Sequence, residues 1–287
     1  MKFAWIQTEK AHYPIHKLCR WLAVTPSGFY AWCKRPESAR LKRDRTLAVL
    51  VQASFDASKH RYGSPRIHTD LIEQQERVSR KRVIRLMQAK GLKARLRKRF
   101  KGTTVNDPAL PVAANLLERQ FRAAAPNQRW VSDTTEFIIG DSTKLYLAGV
   151  LDLYSRFIVG WAVSPVNDRH LTIKALEMAL KRRAPAAGLL HHSDQGCTYA
   201  SEDYQAILDA RGITCSMSRR GDCYDNAVME SWFSTVKSEE GERFESFAHA
   251  KEALFDYIEV FYNHRRRHST IGQISPAEYE QRTAQAA

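Results

Sequence analysis

Apolar positions repeat at helical spacing through the first hundred residues, change to strand-like runs from Trp130, and return to helical spacing in the last third of the chain. Ile15, Leu18, Cys19 and Leu22 share one face of a predicted helix that breaks at Ala23-Val24. Thr25 is a good N-cap and Pro26 suits the first helical position, so Ser27 to Lys34 reads as a second short helix. Such a pair is either a helix-turn-helix or a hairpin that only packs. In the first case Tyr30, Trp32, Lys34 and Arg35 offer aromatic and basic groups to DNA. Leu41 to Phe55 forms a basic amphipathic helix, and Tyr62-Gly63-Ser64-Pro65 is a turn. Ile67 and Leu71 begin a helix that ends near Gln75. After Ser79, an N-cap candidate, a further helix carries Val83, Leu86 and Met87 on its apolar side and stops at Gly91.

Three β-rich runs follow, Trp130 to Ile139, Lys144 to Leu153 and Phe157 to Val163, with connections short enough for an antiparallel meander. The pattern then gives a helix around Leu171 to Arg183, a strand Leu189 to His192, a helix Ser201 to Arg211, a strand Ile213 to Met217 and a helix from about Asp225. Three hairpin-linked strands and then α-β-α-β-α is the order of a ribonuclease-H-like α/β core. Beyond it Phe247, Ala250, Leu254, Ile258 and Phe261 fall on one helical face, and Ser275-Pro276-Ala277-Glu278 is a capping box opening a last helix.

Between Lys101 and Pro126 the composition shifts to Thr, Pro, Ala and Asn, a linker with a brief helix near Leu116. The chain thus divides into a helix-turn-helix-like segment (1–40), a basic helical module (41–100), the linker (101–125), an α/β core (126–240) and a helical extension (241–287). A hydrophobic share of 44% excludes disorder as the main theme. The longest apolar stretch, Leu145 to Leu151, stops well short of the roughly 20 residues of a membrane span. Only four apolar residues follow Lys2, too few for a signal peptide. Five cysteines without a CxxC pair fit a reduced cytosol better than a disulfide scaffold.

Charge changes the picture most. The net +14 is not spread evenly: residues 1 to 120 carry 26 basic and 9 acidic residues, and residues 121 to 287 carry 19 and 22. A basic half suited to a polyanion is joined to a half whose chemistry uses carboxylates. In the basic half, Arg80, Lys81, Arg82 and Arg85 lie opposite the apolar side of their helix, and Lys93 to Arg99 adds five cations, among them Arg97, Lys98 and Arg99. Cations near phosphates give salt-sensitive, sequence-independent affinity, so these residues read as a nucleic-acid grip.

Three acids stand in informative places. Asp133 lies inside the first β run, where burial is costly without a partner. Asp194 ends the apolar Leu189-Leu190 strand, and the carboxyl ends of parallel strands are where open α/β sheets bind ligands. Glu230 shares a helical stripe with Asn226, Ser234 and Lys237, opposite Val228, Met229, Trp232 and Val236; alone it is either a site residue or a surface acid paired with lysine. Asp152, ahead of a turn, and Asp225, an expected helix cap, are the acids set aside. Converging carboxylates repel and persist only with divalent metal, and hard oxygen ligands suit Mg²⁺. A pair of ions about 3.5 to 4 Å apart stabilises both the attacking and the leaving oxygen of a phosphoryl displacement.

The segments Trp130 to Thr135, His192-Ser193-Asp194-Gln195-Gly196 with Tyr199, and Asp225-Asn226-Ala227 through Glu230-Ser231 to Lys237 resemble the DDE signature of bacterial insertion-sequence transposases, the second-reading-frame product with a retroviral-integrase-like core. So do Cys19-Arg20 with Ser27 to Trp32, Tyr62 to Ile67, Arg82-Val83 with Arg85-Leu86-Met87, and Tyr262-Asn263 with Arg267-His268 and Ser275-Pro276. The likeness spans nearly the whole chain. It implies that Asp133, Asp194 and Glu230 are metal-binding catalytic acids, holding two Mg²⁺ ions with Mn²⁺ as a substitute, and that Lys237, with Asn226 beside it, contacts DNA near the scissile phosphate. It further implies cleavage at element ends, transfer of the 3′-hydroxyl into target DNA, homo-oligomers on double-stranded DNA, and an upstream-frame partner or fusion. The competing reading is a non-catalytic DNA-binding regulator. The amino-terminal His-His-Cys-Cys zinc module of retroviral integrases has no counterpart here. Arg265, Arg266 and Arg267 are either contacts to DNA or a neighbouring subunit, or a solvated helix end.

Overall fold

The computed structural model describes residues 1–95, 113–219 and 223–286. They form two compact units, Met1–Lys93 and Ala94–Ala287. The first is helical, with α1 (Lys2–Glu9), α2 (Ile15–Trp21), α3 (Pro26–Lys34), α4 (Ala39–Ala57), α5 (Ser64–Glu73) and α6 (Arg80–Ala89). Thr25 caps α3 as expected, its Oγ1 accepting from the Gly28 amide at 3.1 Å, after a turn at Ala23 (φ 50°). The α2–α3 pair is closed by α1, which the pattern does not reveal because a single residue of it, Ile6, is buried, with Leu18, Cys19 and Phe29. Trp32 belongs to this small core, 6.0 Å from Phe3 and 6.3 Å from Phe29 between ring centres, so of the two aromatics expected to face DNA only Tyr30 is exposed. In α4 to α6, Leu47, Val51, Phe55, Ile67, Leu71, Val83, Leu86 and Met87 make the core. Ser79 caps α6 through the Arg82 amide, and Gly91, at φ +67°, ends it in the left-handed region that glycine adopts without strain.

The second unit holds a mixed sheet in the order β3-β2-β1-β4-β5. Its strands are β1 (Arg129–Ile139), β2 (Thr143–Asp152), β3 (Ile158–Ser164), β4 (Leu190–Ser193) and β5 (Thr214–Met217). The first three are antiparallel, and β4 and β5 run parallel to β1, reached through α7 (Arg169–Arg183) and α8 (Glu202–Ala210). This is the ribonuclease-H-like order that the periodicity predicts. Trp130, Ala148, Val150 and Val159 pack against Ala175, Leu176 and Ala179 of α7 and Tyr204 and Leu208 of α8. The next residues along each strand face the other way. There α9 (Ala227–Glu239) buries Met229, Trp232, Phe233 and Val236. A Cβ at Gly149 would stand 2.4 Å from the Trp232 ring, so this glycine lets the helix settle onto the strand.

Several expectations are corrected. No helix forms near Leu116: the Leu116 and Leu117 amides donate to Ser216 Oγ, and Glu118 and Arg119 have φ of 46° and 59°, outside the helical region. A two-residue strand, β6 (Arg243–Phe244), pairs in parallel with the end of β1, too short for alternation to betray it. Phe247, the first residue of α10 (Phe247–Phe255), is exposed while Ala250, Leu254, Ile258 and Phe261 are buried. The helix continues as a wider π-type turn over Asp256–Tyr262, which buries the adjacent pairs Tyr257-Ile258 and Phe261-Tyr262 together. A last helix, α11 (Pro276–Ala286), starts at Ser275, whose Oγ accepts from the Glu278 amide. No helix among the described residues is long and apolar enough to cross a membrane.

Arg266 is not at a solvated terminus. It is buried and pairs with Glu239 through two bonds of 2.8 and 2.9 Å, while the Tyr257 hydroxyl donates to the same carboxylate. Arg267 donates to the Gln273 carbonyl, which fixes the turn before α11. A closed buried pair is strongly destabilising to break from one side, because the remaining charge has no water. Glu239→Ala should therefore lower stability by about 3 to 5 kcal/mol. The shift in urea midpoint of the full chain measures it, and a loss under about 1 kcal/mol, the range of exposed pairs, would contradict the assignment.

Candidate active site

Asp133 sits at the middle of β1, opposite Gly149 of β2. Strand alternation turns it away from the α7–α8 core, toward the face that α9 covers. Asp194 is the first residue after β4; its Oδ1 accepts from the Gly196 amide at 3.0 Å, so the acid is turned by its own loop. Glu230 lies in the first turn of α9, exposed, near the end of the helix whose dipole favours an acid. Asp133 and Asp194 are half-buried.

Asp133 feels the other two acids. Burial first, then the negative charges of Asp194 and Glu230, push the Asp133 carboxyl well above the ordinary carboxylate range, against the Thr134 amide that donates to its Oδ1 at 2.7 Å. Burial also raises Glu230. Among the described residues, however, no three His, Cys, Asp or Glu side chains are gathered tightly enough to hold an ion as they stand. The fold brings the acids into electrostatic reach without closing them into a ligand set. One oxygen of Asp133 and one of Asp194 are engaged by backbone amides of their own segments. The donors suit a hard divalent cation: carboxylate oxygens only, in a cluster that penalises its own charge.

Lys237 shares the face of Glu230, as the helical wheel predicts; its ammonium lies 5.5 Å from the Phe137 ring centre and burial lowers its pKa. Asn226 does not share it. That residue is buried and its Nδ2 donates to the Ser132 carbonyl at 3.2 Å, tying the start of α9 to β1 next to Asp133. Asp225 does not cap α9. It is buried among Arg219, Arg119 and the Asn115 amide, at 2.8 to 3.0 Å, and the Arg219 hydrogen bond leads in holding its carboxyl far below the usual range. Asp152 is buried too, accepting from the Asn127 and Tyr154 amides. In the first unit Arg80 and Lys81 are exposed, whereas Arg82 and Arg85 both reach Asp44 at 2.7 Å. Arg97, Lys98 and Arg99 lie outside the described residues.

Two features beside the acids escape sequence reasoning. The Tyr199 ring is buried, its hydroxyl has no hydrogen-bond partner among the described residues, and burial first, with Tyr204, Asp133 and Asp194 adding to it, raises its pKa. Behind β1, His191 Nε2 meets Ser132 Oγ at 2.8 Å and the Tyr204 hydroxyl at 3.1 Å; His192 Nδ1 meets Ser216 Oγ at 2.8 Å. Burial lowers His191 to about 3, so it is neutral inside the fold. The adjacent histidines in the sequence signal polar character at the strand end, and give no sign of burial.

Comparison with known proteins shows the family of the chain. Family models described as "Integrase core domain" match residues 123–223 and 211–276, and one described as "HTH-like domain" matches residues 42–100. The chain is 40% identical over 284 residues to "Transposase InsF for insertion sequence IS3A" of Escherichia coli (strain K12), covering 98% of each. It is also 40% identical over 272 residues to "Insertion element IS600 uncharacterized 31 kDa protein" of Shigella sonnei, covering 94% of this chain and all of that one. The HTLV-2 integrase catalytic core domain in complex with magnesium aligns with 55% of this chain and 99% of its own at 16% identity and a TM-score of 0.43, a likeness too distant to add weight.

Two outcomes are expected. Gly149→Ala forces the Trp232 ring off the strand and should cost about 1 to 3 kcal/mol, the usual range for overpacking, with a lower thermal midpoint; an unchanged midpoint would show that α9 does not depend on this contact. For His191 the unfolded pKa is near 6.5 and the folded one near 3, so above pH 6.5 its titration costs nothing. Below that the unfolded chain takes up the proton and stability falls by up to about 1.4 kcal/mol per pH unit. His191→Gln, which cannot titrate, should be less stable than the parent at pH 7 and lose that deficit as the pH approaches 4. Parallel urea midpoints across the range would contradict it.

Proposed function

Because this chain belongs to the insertion-sequence transposases built on an integrase core, it is a DNA polynucleotidyl transferase, and we propose that Asp133, Asp194 and Glu230 are its catalytic acids. It cuts DNA at the ends of its element and transfers the freed 3′-hydroxyl into target DNA. The observation that supports the assignment is the charge that Asp194 and Glu230 impose on Asp133: burial and these two acids raise its carboxyl, a condition that a divalent cation relieves.

The three side chains would hold Mg²⁺, in our reading two ions with Mn²⁺ accepted. Bound there, the metal supplies Lewis-acid stabilisation of charge on the entering and leaving oxygens. The protein's part is placement. β1 fixes Asp133, the Gly196 amide turns Asp194, and α9 carries Glu230 at the height set by Trp232 on Gly149. In the first step a water oxygen bonds to phosphorus, the bond to the 3′-oxygen breaks, and that oxygen leaves as a hydroxyl. In the second, the 3′-hydroxyl oxygen attacks a target phosphorus and displaces a target 3′-oxygen. One phosphodiester forms as one breaks, so no covalent protein intermediate and no external energy source is needed.

DNA contact falls, in the same reading, to Lys237 beside the acids and to Arg80 and Lys81 on α6, while Arg82 and Arg85 support that helix through Asp44. The working form is a homo-oligomer that joins two element ends, with the upstream-frame product, separate or fused, as a further partner.

Asp194→Asn is the test, since it keeps the shape and an acceptor for the Gly196 amide while removing the charge. DNA affinity should stay within about twofold, and Mg²⁺-dependent nicking of element-end duplexes should fall by about a thousandfold or more, as in losses of transition-state charge stabilisation. Equal loss of binding and nicking would assign Asp194 to structure. Wild-type nicking that survives a chelator would reject the metal.

A further inference from the structure

At the start of β1, where Arg129 stands, lies a cavity of about 850 Å³ lined by Arg119, Arg122, Arg129 and Arg156, with Ser269 and Thr270 also in its wall. Among the described residues no carboxylate lines it. Two of the arginines are fixed by backbone carbonyls: Arg129 donates to the Gln120 and Arg122 carbonyls at 3.0 Å, and Arg156 to the Phe121 carbonyl at 2.7 Å. Arg119 shares Asp225 with Arg219. Carbonyl dipoles orient the Arg129 and Arg156 guanidinium groups and leave their full charge, and a guanidinium is a rigid fork of N–H donors suited to phosphate. Burial leads in lowering the Arg156 pKa and the charge of Arg122 adds to it, against Tyr262 and Asp152, which favour its charged form.

We propose that this cavity binds backbone phosphate of DNA, as a second contact distinct from the acidic site. The proposal rests on the reading of the protein as a DNA transferase. Arg129 precedes Asp133 by four residues, about 13 Å along an extended strand. That is well under one duplex turn of about 34 Å, so one DNA segment can serve both places. A strand-transfer enzyme handles two DNAs, and the phosphate could belong to the element end or to the target.

The test uses the full chain with two labelled duplexes, one carrying the terminal repeat and one of unrelated sequence, titrated across salt. Arg122 and Ser269 are exposed and stand on different walls, so Arg122→Glu and Ser269→Glu should fold. Each should weaken binding about tenfold or more, and Arg122→Ala should lower the slope of log affinity against log salt by about one, the signature of one lost phosphate contact. Loss on the terminal duplex alone assigns the site to the element end, loss on the unrelated duplex alone to the target, and loss on both to backbone shared by the two. Unchanged affinity and slope on both duplexes overturn the proposal. A wild-type protein that binds DNA and responds to these variants, yet never nicks with Mg²⁺, would overturn the catalytic reading and leave the cavity assigned.

Discussion

The ring of Trp232 occupies the space where a side chain at position 149 would stand, 2.4 Å from the missing Cβ. Residue 149 is the register partner of Asp133, so the contact that brings α9 down onto the sheet is made directly beside the central acid. Glu230, two residues before Trp232, inherits its position from that seat. Asn226 pins the start of the same helix to the Ser132 carbonyl on the other side of Asp133. The placement of the third acid is therefore a packing result. Helices pack at distances their interfacial side chains allow, and a glycine under an indole permits the closest approach.

Packing forces together groups that electrostatics would separate. Asp133 carries the cost, raised by burial and by two neighbouring charges, and the amides of Thr134 and Gly196 offset part of it by holding one oxygen each of Asp133 and Asp194. Those bonds keep the aspartates turned toward their own segments, and β1, β4 and α9 are all anchored by buried residues. Tyr199, whose buried hydroxyl lacks a partner among the described residues, senses both aspartates.

How much of this is legible in the sequence follows from the range of the interactions. Element order in the second unit is written in local spacing: near-continuous apolar runs for central strands, 3.6-residue repeats for helices, Thr25 and Ser79 for caps. The acids are legible because each falls at a structural position, mid-strand, strand end and helix face, that the pattern itself marks. What spacing hides are partnerships between distant segments. Asp225 looks like a cap for the helix it precedes, and is claimed by Arg119 from 106 residues away. Arg266 sits in a run of three arginines that looks solvated, and only the fold supplies Glu239 and Tyr257 to bury it. Burial of a charge is decided by its partner, and a helical wheel contains no information on partners from another element. The same reason separates Arg82 and Arg85, which answer Asp44, from Arg80 and Lys81, which do not.

Net charge is legible too, but as an average it conceals the arrangement that matters. The segment from 121 to 287 sums to a small negative value, which invites a picture of an acidic catalytic half beside a basic binding half. Its strand β1 instead runs from an arginine-walled cavity at its start to a carboxylate cluster at its middle. A field of this kind has direction. On the proposed reading, a polyanion drawn by the arginines would have its phosphates held about a dozen ångströms from acids that would otherwise repel it. Opposite charges in one fold, kept apart by the length of four strand residues, allow a carboxylate site to act on a substrate that carries the same sign of charge.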